Sequence, residues 1–396
     1  MKPAFVVGGL YHRANGVAWI MRDLAAAMGR AGSPVSVYAA ECPRAGLDSI
    51  GSIFQPPSTW IGRPGRWWGG LSWSPKLREI LERDIGQLDV IHNHSLWMLP
   101  NSYASQLGRR TGKPVLFTIH GTLEPWALSH SRWKKQIVGR WFQFRDLRSA
   151  NCLHVNSLRE LQSVRAAGFG NPVAVIPNGI NLPEFESLPE RTVFFRSHPQ
   201  LVGKKLLLFM ARLHKKKGLD HLLQSWAVLA GEFTDWHLVI AGPDDGYQKS
   251  CEEMIARSGI GGSTTLVGSL HDQDKLAALH AADIFVQPSH SEGFSMSVIE
   301  AMACKLPVLI SHGCNFPEAA QAGAGIEVTA DCAGTIAGLR WLMKISTSDR
   351  RKMGESGKNL VQRDYTWDRV AESMLQVYRW LKSEDARPMC VSTYGR

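Results

Sequence analysis

The sequence predicts an α/β protein of two Rossmann-like domains facing each other across a cleft. Two series of short apolar, β-branched runs alternate with longer amphipathic stretches, a Pro-containing break near residue 190 parts them, and a helical segment follows the second. Short continuous apolar runs fit strands buried on both faces, hence parallel sheets covered by helices. At 396 residues the chain is long enough for two cores of ordinary size.

Taken in order, the first strands fall at PAFVVGG (3–9), PVSVYAA (34–40), DVIHNH (89–94), PVLFTIH (114–120), CLHVNS (152–157) and VAVIPNG (173–179). Between them, VAWIMRDLAAAM (17–28) and SLRELQSVRAA (157–167) carry helical periodicity. Pro183, Pro189, Pro199 and Gly203 then break the pattern, so 183–204 reads as a connection between domains 1–182 and 205–365. The second series is KLLLFMA (205–211), WHLVIAG (236–242), TTLVGS (264–269), DIFVQPS (283–289) and PVLIS (307–311). In the closing segment 366–386, Val370, Met374, Val377, Tyr378 and Leu381 recur at helical spacing, and 387–396 is left as a tail. No internal repeat or low-complexity tract interrupts this order.

Hydrophobic content of 44% and charged content of 20% describe a globular chain, not a disordered one. The longest apolar runs, such as 206–211, fall far short of the roughly 18–20 residues that span a bilayer. The opening MKPAFVVGGL lacks a basic region and a small-residue cleavage site, so it reads as a strand and not a signal peptide. Seven scattered cysteines give neither a disulfide framework nor a zinc-binding spacing. The expected location is the cytoplasm. A net charge of +10 favours anionic partners. The basic residues are spread along the chain and form no recognised nucleic-acid module, which argues against nucleic acid.

The segment SEGFSMSVIEAMA (291–303) holds the strongest chemical signal. A strand ends in a small polar loop, and Glu292 and Gly293 precede a helix. Uncapped N–H groups and the positive end of a helix dipole suit a diphosphate, and Gly293 permits close approach of the backbone. Glu300 follows Glu292 with seven residues between them, in the second helical turn. One carboxylate then suits sugar hydroxyls at the mouth and the other ribose hydroxyls deeper in. The plain alternative for such a pair is a surface helix with one exposed and one structural glutamate.

SEGFSMSVIEAMACKLPVLIS resembles the paired-glutamate signature of retaining GT-B glycosyltransferases, specifically family 4. VIPNGI (175–180), LLLFMARLHKKKGLDHLLQSW (206–226), LVIAGPDDG, LVGSL and FVQPS follow in that family's order, so the resemblance runs through most of the chain. It implies an acceptor-side N-terminal domain, a nucleotide-sugar C-terminal domain and a last helix crossing back to the first domain. By the same resemblance Arg212 and Lys217 grip the donor diphosphate, as a guanidinium fork and an ammonium would. Lys215 and Lys216 adjoin them, and a solvated basic loop is the other reading of the run. Glu292 is matched to the donor sugar and Glu300 to the ribose, while Phe294, Ser295 and Met296 line the diphosphate. Ser295 stands where glycine or alanine is commoner in the family.

In the first domain, GGLYHRANGVAWIM resembles the glycine loop before the first helix, which puts Gly16, and after it Gly8 or Gly9, near the donor phosphate. His120 in FTIHG ends a strand and is placed by resemblance near the reacting sugar. His92 and His94 share one side of a strand end, which suits acceptor positioning or, with further ligands, a metal. Trp97 and Trp126 offer stacking faces for a sugar, or are ordinary core aromatics. Asp272 and Asp274 form a D-x-D before an apolar-periodic helix, where capping explains them best. The stretch 130–148 interleaves Trp133, Ile137, Trp141, Phe142 and Phe144 with basic residues, as either a membrane-surface helix or a packed helix with a basic face.

The function expected is transfer of a sugar from a nucleotide-sugar donor, with retention, to a glycan or lipid-linked glycan acceptor in cell-surface polysaccharide synthesis. No cofactor or essential metal is expected, because Arg212, Lys217 and a helix dipole already oppose the phosphate charge. The expected membrane partner is the anionic inner face. A sugar-nucleotide epimerase and a catalytically silent nucleotide-sugar-binding protein are the alternatives.

Overall fold

The computed structural model describes residues 1–9, 16–40, 59–62, 71–124 and 132–393. The chain divides into two compact units, Met1–Gly179 with Trp367–Arg396, and Ile180–Thr366.

The chain enters the first unit through β1 (Pro3–Val7), α1 (Gly16–Arg30), β2 (Ser36–Ala40) and β3 (Thr59–Gly62). It continues with α2 (Pro75–Asp84), β4 (Val90–His94), α3 (Leu99–Thr111) and β5 (Val115–Thr118). Then come α4 (Arg132–Val138), a π-helical turn (Gly139–Gln143), α5 (Phe144–Arg148), β6 (Cys152–Val155), α6 (Leu158–Ala166) and β7 (Val173–Val175). Local chemistry sets several of these boundaries. The Ser74 hydroxyl accepts from Leu77 N–H ahead of α2, which also has proline in its first turn. Ser157 caps α6 by accepting from Glu160 N–H, and α3 stops at left-handed Gly112.

The second unit opens with α7 (Arg191–Ser197), β8 (Lys205–Met210), α8 (Leu219–Leu229), β9 (Trp236–Ala241), α9 (Gln248–Arg257) and β10 (Thr264–Gly268). It closes with α10 (Asp272–Ala281), β11 (Ile284–Gln287), α11 (Met296–Ala303), β12 (Val308–Ser311), α12 (Pro317–Gln321), β13 (Gly325–Val328), α13 (Cys332–Lys344) and α14 (Thr347–Asp364). The chain then returns to the first unit as α15 (Trp367–Leu381) and β14 (Val391–Ser392).

The first sheet has the order β14-β7-β6-β5-β4-β1-β2-β3, parallel except for β14, which pairs antiparallel with β7. The second is β10-β9-β8-β11-β12-β13 and wholly parallel. Both sheets are covered on both faces, and side-chain alternation shows it. In β1, Phe5 and Val7 enter one core while Ala4 and Val6 enter the other. In β8, Leu206, Leu208 and Met210 face one core and Leu207 and Phe209 the opposite one. The returning α15 buries Trp367, Val370, Met374, Val377 and Tyr378 in the core that also holds Met21, Leu24 and Met28 of α1.

Three strands had no strand signal in the sequence. β3 lies among residues of mixed polarity, β13 (GIEV) carries Gly325 and Glu327, and β14 spans two residues. The segment 183–204 is more than a connection, because Phe185, Phe194 and Leu201 are buried in the second unit's core. Its prolines punctuate short helical turns (Leu182–Phe185 and Pro199–Leu201) on either side of α7.

Candidate functional site

In doubly wound sheets, ligands bind beyond the carboxyl ends of strands where the strand order reverses. In the second unit that point lies between β8 and β11, neighbours at the centre of the sheet. Arg212 follows β8 by two residues, and the loop 288–295 links β11 to α11. A cavity of about 400 Å³ opens there, lined by Arg212, Lys217, Lys275, Glu292, Glu300 and the Phe294–Ser297 segment.

Glu292 is held from three sides. Lys217 Nζ lies 2.7 and 2.8 Å from its carboxylate oxygens, and Gln287 Nε2 (3.0 Å) and Ser289 Oγ (2.7 Å) both donate to Oε1. Its N–H donates to Gly313 O at 2.7 Å, and Asn315 Nδ2 donates to its carbonyl. The loop is thereby fixed before any ligand arrives, which is what preorganised electrostatics require. Lys217 ends a 3₁₀ turn, Lys215–Lys217, and does not open α8 itself. Gly218 intervenes at φ +71°, and a Cβ there would overlap Pro288 O. This close backbone approach carries Lys217 to Glu292.

Glu300 sits in the second turn of α11 and accepts from Lys275 Nζ at 2.9 Å. Arg212 pairs with Asp245 and remains largely exposed. Each carboxylate lining the cavity therefore has a lysine partner, and Arg212 is its most accessible cation. α11 begins at Met296, later than Gly293, and no side chain caps it. The Ser295 hydroxyl donates instead to Gln287 Oε1 at 2.9 Å, leaving the first-turn N–H groups for an anion.

Sequence reasoning missed Lys275, Gln287, Ser289 and Asp245. Gln287 carried a usable signal, as a polar residue ending an otherwise apolar strand (IFVQ). Lys275 was obscured by the D-x-D reading. Neither Asp272 nor Asp274 caps α10, whose N-cap is His271 without a side-chain bond. Both carboxylates occupy the first turn, where the helix dipole favours them.

In the first unit the order reverses between β1 and β4. Gly8 and Gly9 follow β1, and a Cβ on Gly8 would run into the Met98 side chain. Gly16 is the first residue of α1, while loop 10–15 and Trp126 lie outside the described residues. Trp97 is half-buried, edge-on to Phe144 (centroids 6.1 Å apart), and packs against the core.

His92 and His94 project from one side of β4 with rings 4.1 Å apart. His120 follows β5 at φ +49° and lies 3.3 Å from His94 (Nε2 to Nδ1). A polar chain runs across the sheet from Tyr378 Oη to His92 Nδ1 (2.6 Å), then from His92 Nε2 to Thr118 Oγ1 (2.5 Å). It continues from Thr118 Oγ1 to His154 Nδ1 (2.7 Å) and from His154 Nε2 to Ile176 O (2.9 Å). The terminal carbonyl only accepts, so with neutral rings every proton is assigned: His154 Nε2–H, Thr118 O–H, His92 Nε2–H and Tyr378 O–H all donate along one direction. His92 therefore has both nitrogens committed within the fold.

Burial holds these rings neutral. It takes His92 and His94 well below the ordinary histidine value, His120 down to about 3 and His154 to about 4. Burial also pushes Glu160 up to about 7, although Gly121 and Asn156 N–H groups donate to its carboxylate. The four histidines bind fewer protons folded than unfolded below about pH 6.5. Their contribution to stability is fully present above about pH 6.5 and is lost progressively as pH falls from there toward the folded values, about 4 for His154 and about 3 for His120. Glu160 acts oppositely, its contribution being lost as pH rises from the unfolded 4.5 toward 7. One glutamate offsets only part of four histidines. Urea midpoints should fall from pH 7 to 4, with more than one proton taken up on unfolding. A flat or rising midpoint would contradict neutral burial of these rings.

Residues 14–184 match the family model described as Glycosyltransferase Family 4, and residues 190–360 that of glycosyl transferases group 1. The chain is 25% identical over 315 residues to the MMP alpha-(1->4)-mannosyltransferase of Mycolicibacterium hassiacum, covering 78% of this chain and 74% of that one. It is 26% identical over 341 residues to the phosphatidyl-myo-inositol mannosyltransferase of Mycobacterium leprae, covering 81% and 82%. Among solved structures, a glycosyltransferase from Rickettsia africae superposes with a TM-score of 0.76 at 15% identity, over 97% of this chain and 99% of that one. Anabaena Alr3699/HepE in complex with UDP-glucose does so with a TM-score of 0.72 at 17% identity, over 97% and 100%. At these identities the superpositions speak to the shared fold alone.

Proposed function

Since this chain belongs to the group 1, family 4 glycosyltransferases of GT-B fold, we propose that it transfers a sugar, with retention and without an essential metal, from a nucleotide sugar to a glycan or lipid-linked glycan. The observation that carries this reading is the cavity joining Arg212, Lys217, the uncapped start of α11 and two lysine-paired carboxylates. An incoming diphosphate competes for Lys217 and Lys275, freeing Glu292 for sugar hydroxyls and Glu300 for the ribose. Arg212 adds a fork suited to phosphate oxygens. As the bond to the anomeric carbon breaks, charge grows on the leaving phosphate. Arg212 and Lys217 stabilise that charge, and the phosphate takes the acceptor's proton on the same face of the sugar. Glu292, already engaged by Lys217, Gln287 and Ser289, binds and does not attack.

The test is a screen of nucleotide sugars for acceptor-dependent nucleotide release, followed by NMR of the product. Release should need the acceptor, survive EDTA and give the donor's anomeric configuration. Donor turnover without acceptor would indicate the epimerase, and binding without release a silent binding protein.

An acceptor in cell-surface polysaccharide synthesis is part of the same proposal, and the helical segment after residue 131 supports a membrane-borne one. Trp133, Ile137 and Trp141 recur every four residues and are 56–64% exposed, on a segment that also carries Lys135, Arg140, Arg145 and Arg148. Phe142 and Leu147 are buried. No helix among the described residues is long and apolar enough to cross a membrane, so contact would be interfacial. Sedimentation with anionic vesicles should fall at least about tenfold in a Trp133→Ser/Trp141→Ser variant. Unchanged sedimentation would make this face an ordinary surface.

A further inference from the structure

Three metal-ligating side chains come together from two segments far apart in sequence, each adjoining a part of the donor cavity's lining. Asp220 and His221 sit in the first turn of α8, directly after the Lys217–Gly218 turn. His290 lies on the loop between β11 and α11, two residues before Glu292. One ligand atom from each of the three lies within 4.8 Å of the others, and His290 Nε2 is 3.4 Å from Asp220 Oδ1. That separation already matches the edge of a tetrahedral zinc site, about 3.3 Å for ligand distances of ~2.0–2.1 Å. The His221 and His290 rings lie 4.6 Å apart and edge-on.

A second observation concerns His221. Its Nδ1 lies 3.6 Å from Cys332 Sγ, and the Cys332 thiol donates to Gln224 Oε1 at 3.0 Å. With the thiol proton spent on Gln224, the sulfur accepts from His221 Nδ1–H. That fixes the tautomer with a bare Nε2, the form a metal requires, through the outer partner that ligating histidines usually have. The site also touches the donor loop. His290 N–H donates to Lys216 O at 2.9 Å, joining the strap that carries Lys217 to the loop that carries Glu292.

We propose that Asp220, His221 and His290 bind a divalent transition-metal ion of the zinc class, and that the ion fastens the Glu292 loop to the start of α8. Two imidazoles and one carboxylate favour zinc, cobalt, nickel or copper over magnesium and calcium, and solvent completes the coordination. None of the three ligands is among the residues that line the donor cavity. The ion's role is to hold the loop, so the metal-free chemistry proposed for transfer is unaffected.

The test uses the whole chain, stripped with a chelator and titrated with Co²⁺ by absorption and calorimetry. One equivalent should bind, be displaced by Zn²⁺ and ignore excess Mg²⁺. The Zn²⁺ form should melt several degrees higher, in a concentration-dependent way, and exchange the 288–293 amides more slowly. His221→Ala/His290→Ala should lose the saturable equivalent. Cys332→Ser should keep it, weakened at most ~10–100-fold. His290→Ala alone, compared with the parent by circular dichroism and melting in chelator, guards against misfolding as the cause of loss. No stoichiometric uptake by the parent chain, or equal uptake by the double variant, would overturn the proposal. None of these readouts measures sugar transfer, so the site and the transferase reading fail separately.

Discussion

Lys217→Ala should lower turnover by ~10²–10³-fold, the usual cost of removing one preorganised donor from a developing oxyanion. The ammonium sits 2.7 Å from Glu292 on a strap fixed by Gly218, so it is already placed when the donor enters. The loss should fall mainly on kcat, because charge on the leaving phosphate is largest in the transition state. Lys217→Arg should rescue little, since a planar fork cannot take the place of a compact charge between Glu292 and the phosphate. The variant should stay folded, because Glu292 keeps its bonds from Gln287 and Ser289. Wild-type turnover of the preferred donor by Lys217→Ala would remove the residue from the chemistry.

Gly218→Ala should damage both stability and activity without touching a charged group. Left-handed backbone at a non-glycine residue costs ~1–3 kcal/mol, and here the added methyl also overlaps Pro288 O. Relief requires the 3₁₀ turn and the 288–295 loop to separate, which pulls Lys217 from Glu292. The expected result is a melting midpoint lowered by several degrees, with turnover falling further than the folded fraction explains. Gly246→Ala is the control. It too has positive φ (+83°), but no heavy atom outside its chain neighbours lies within 4 Å of its added Cβ. If both variants behaved alike, backbone strain alone would account for the loss.

The parts legible in the sequence were those with a period or a fixed order. Strands buried on both faces wrote themselves as apolar runs, and the spacing of Glu292 and Glu300, with seven residues between them, set one carboxylate on the loop ahead of a helix and the other in its second turn. Long-range pairing left no such trace. Nothing local joins Lys275 to Glu300 or Asp245 to Arg212, because those partners meet only once the sheet is ordered. Trp97 illustrates the opposite failure, since an aromatic beside a strand end reads equally as a sugar platform and as packing. Its edge contact with Phe144 shows the packing side of that pair of readings. His92 and His94 posed the same ambiguity. The proton chain from Ile176 O to Tyr378 ties His92 to β5, to β6, to the residue that follows β7 and to α15, a commitment no spacing rule could disclose.

The return of the chain to its first unit has a consequence for biosynthesis. The second unit is one uninterrupted segment, Ile180–Thr366, whereas the first needs Trp367–Arg396 to complete its core. At elongation rates of ~5–20 residues per second, the nascent first unit waits roughly 10–40 s for that segment to be made. Throughout that wait the face of α1 that α15 will cover, with Met21, Leu24 and Met28, lacks its partner. The later-made unit is free to close first on the ribosome, and the interval before release is when this chain most needs a chaperone.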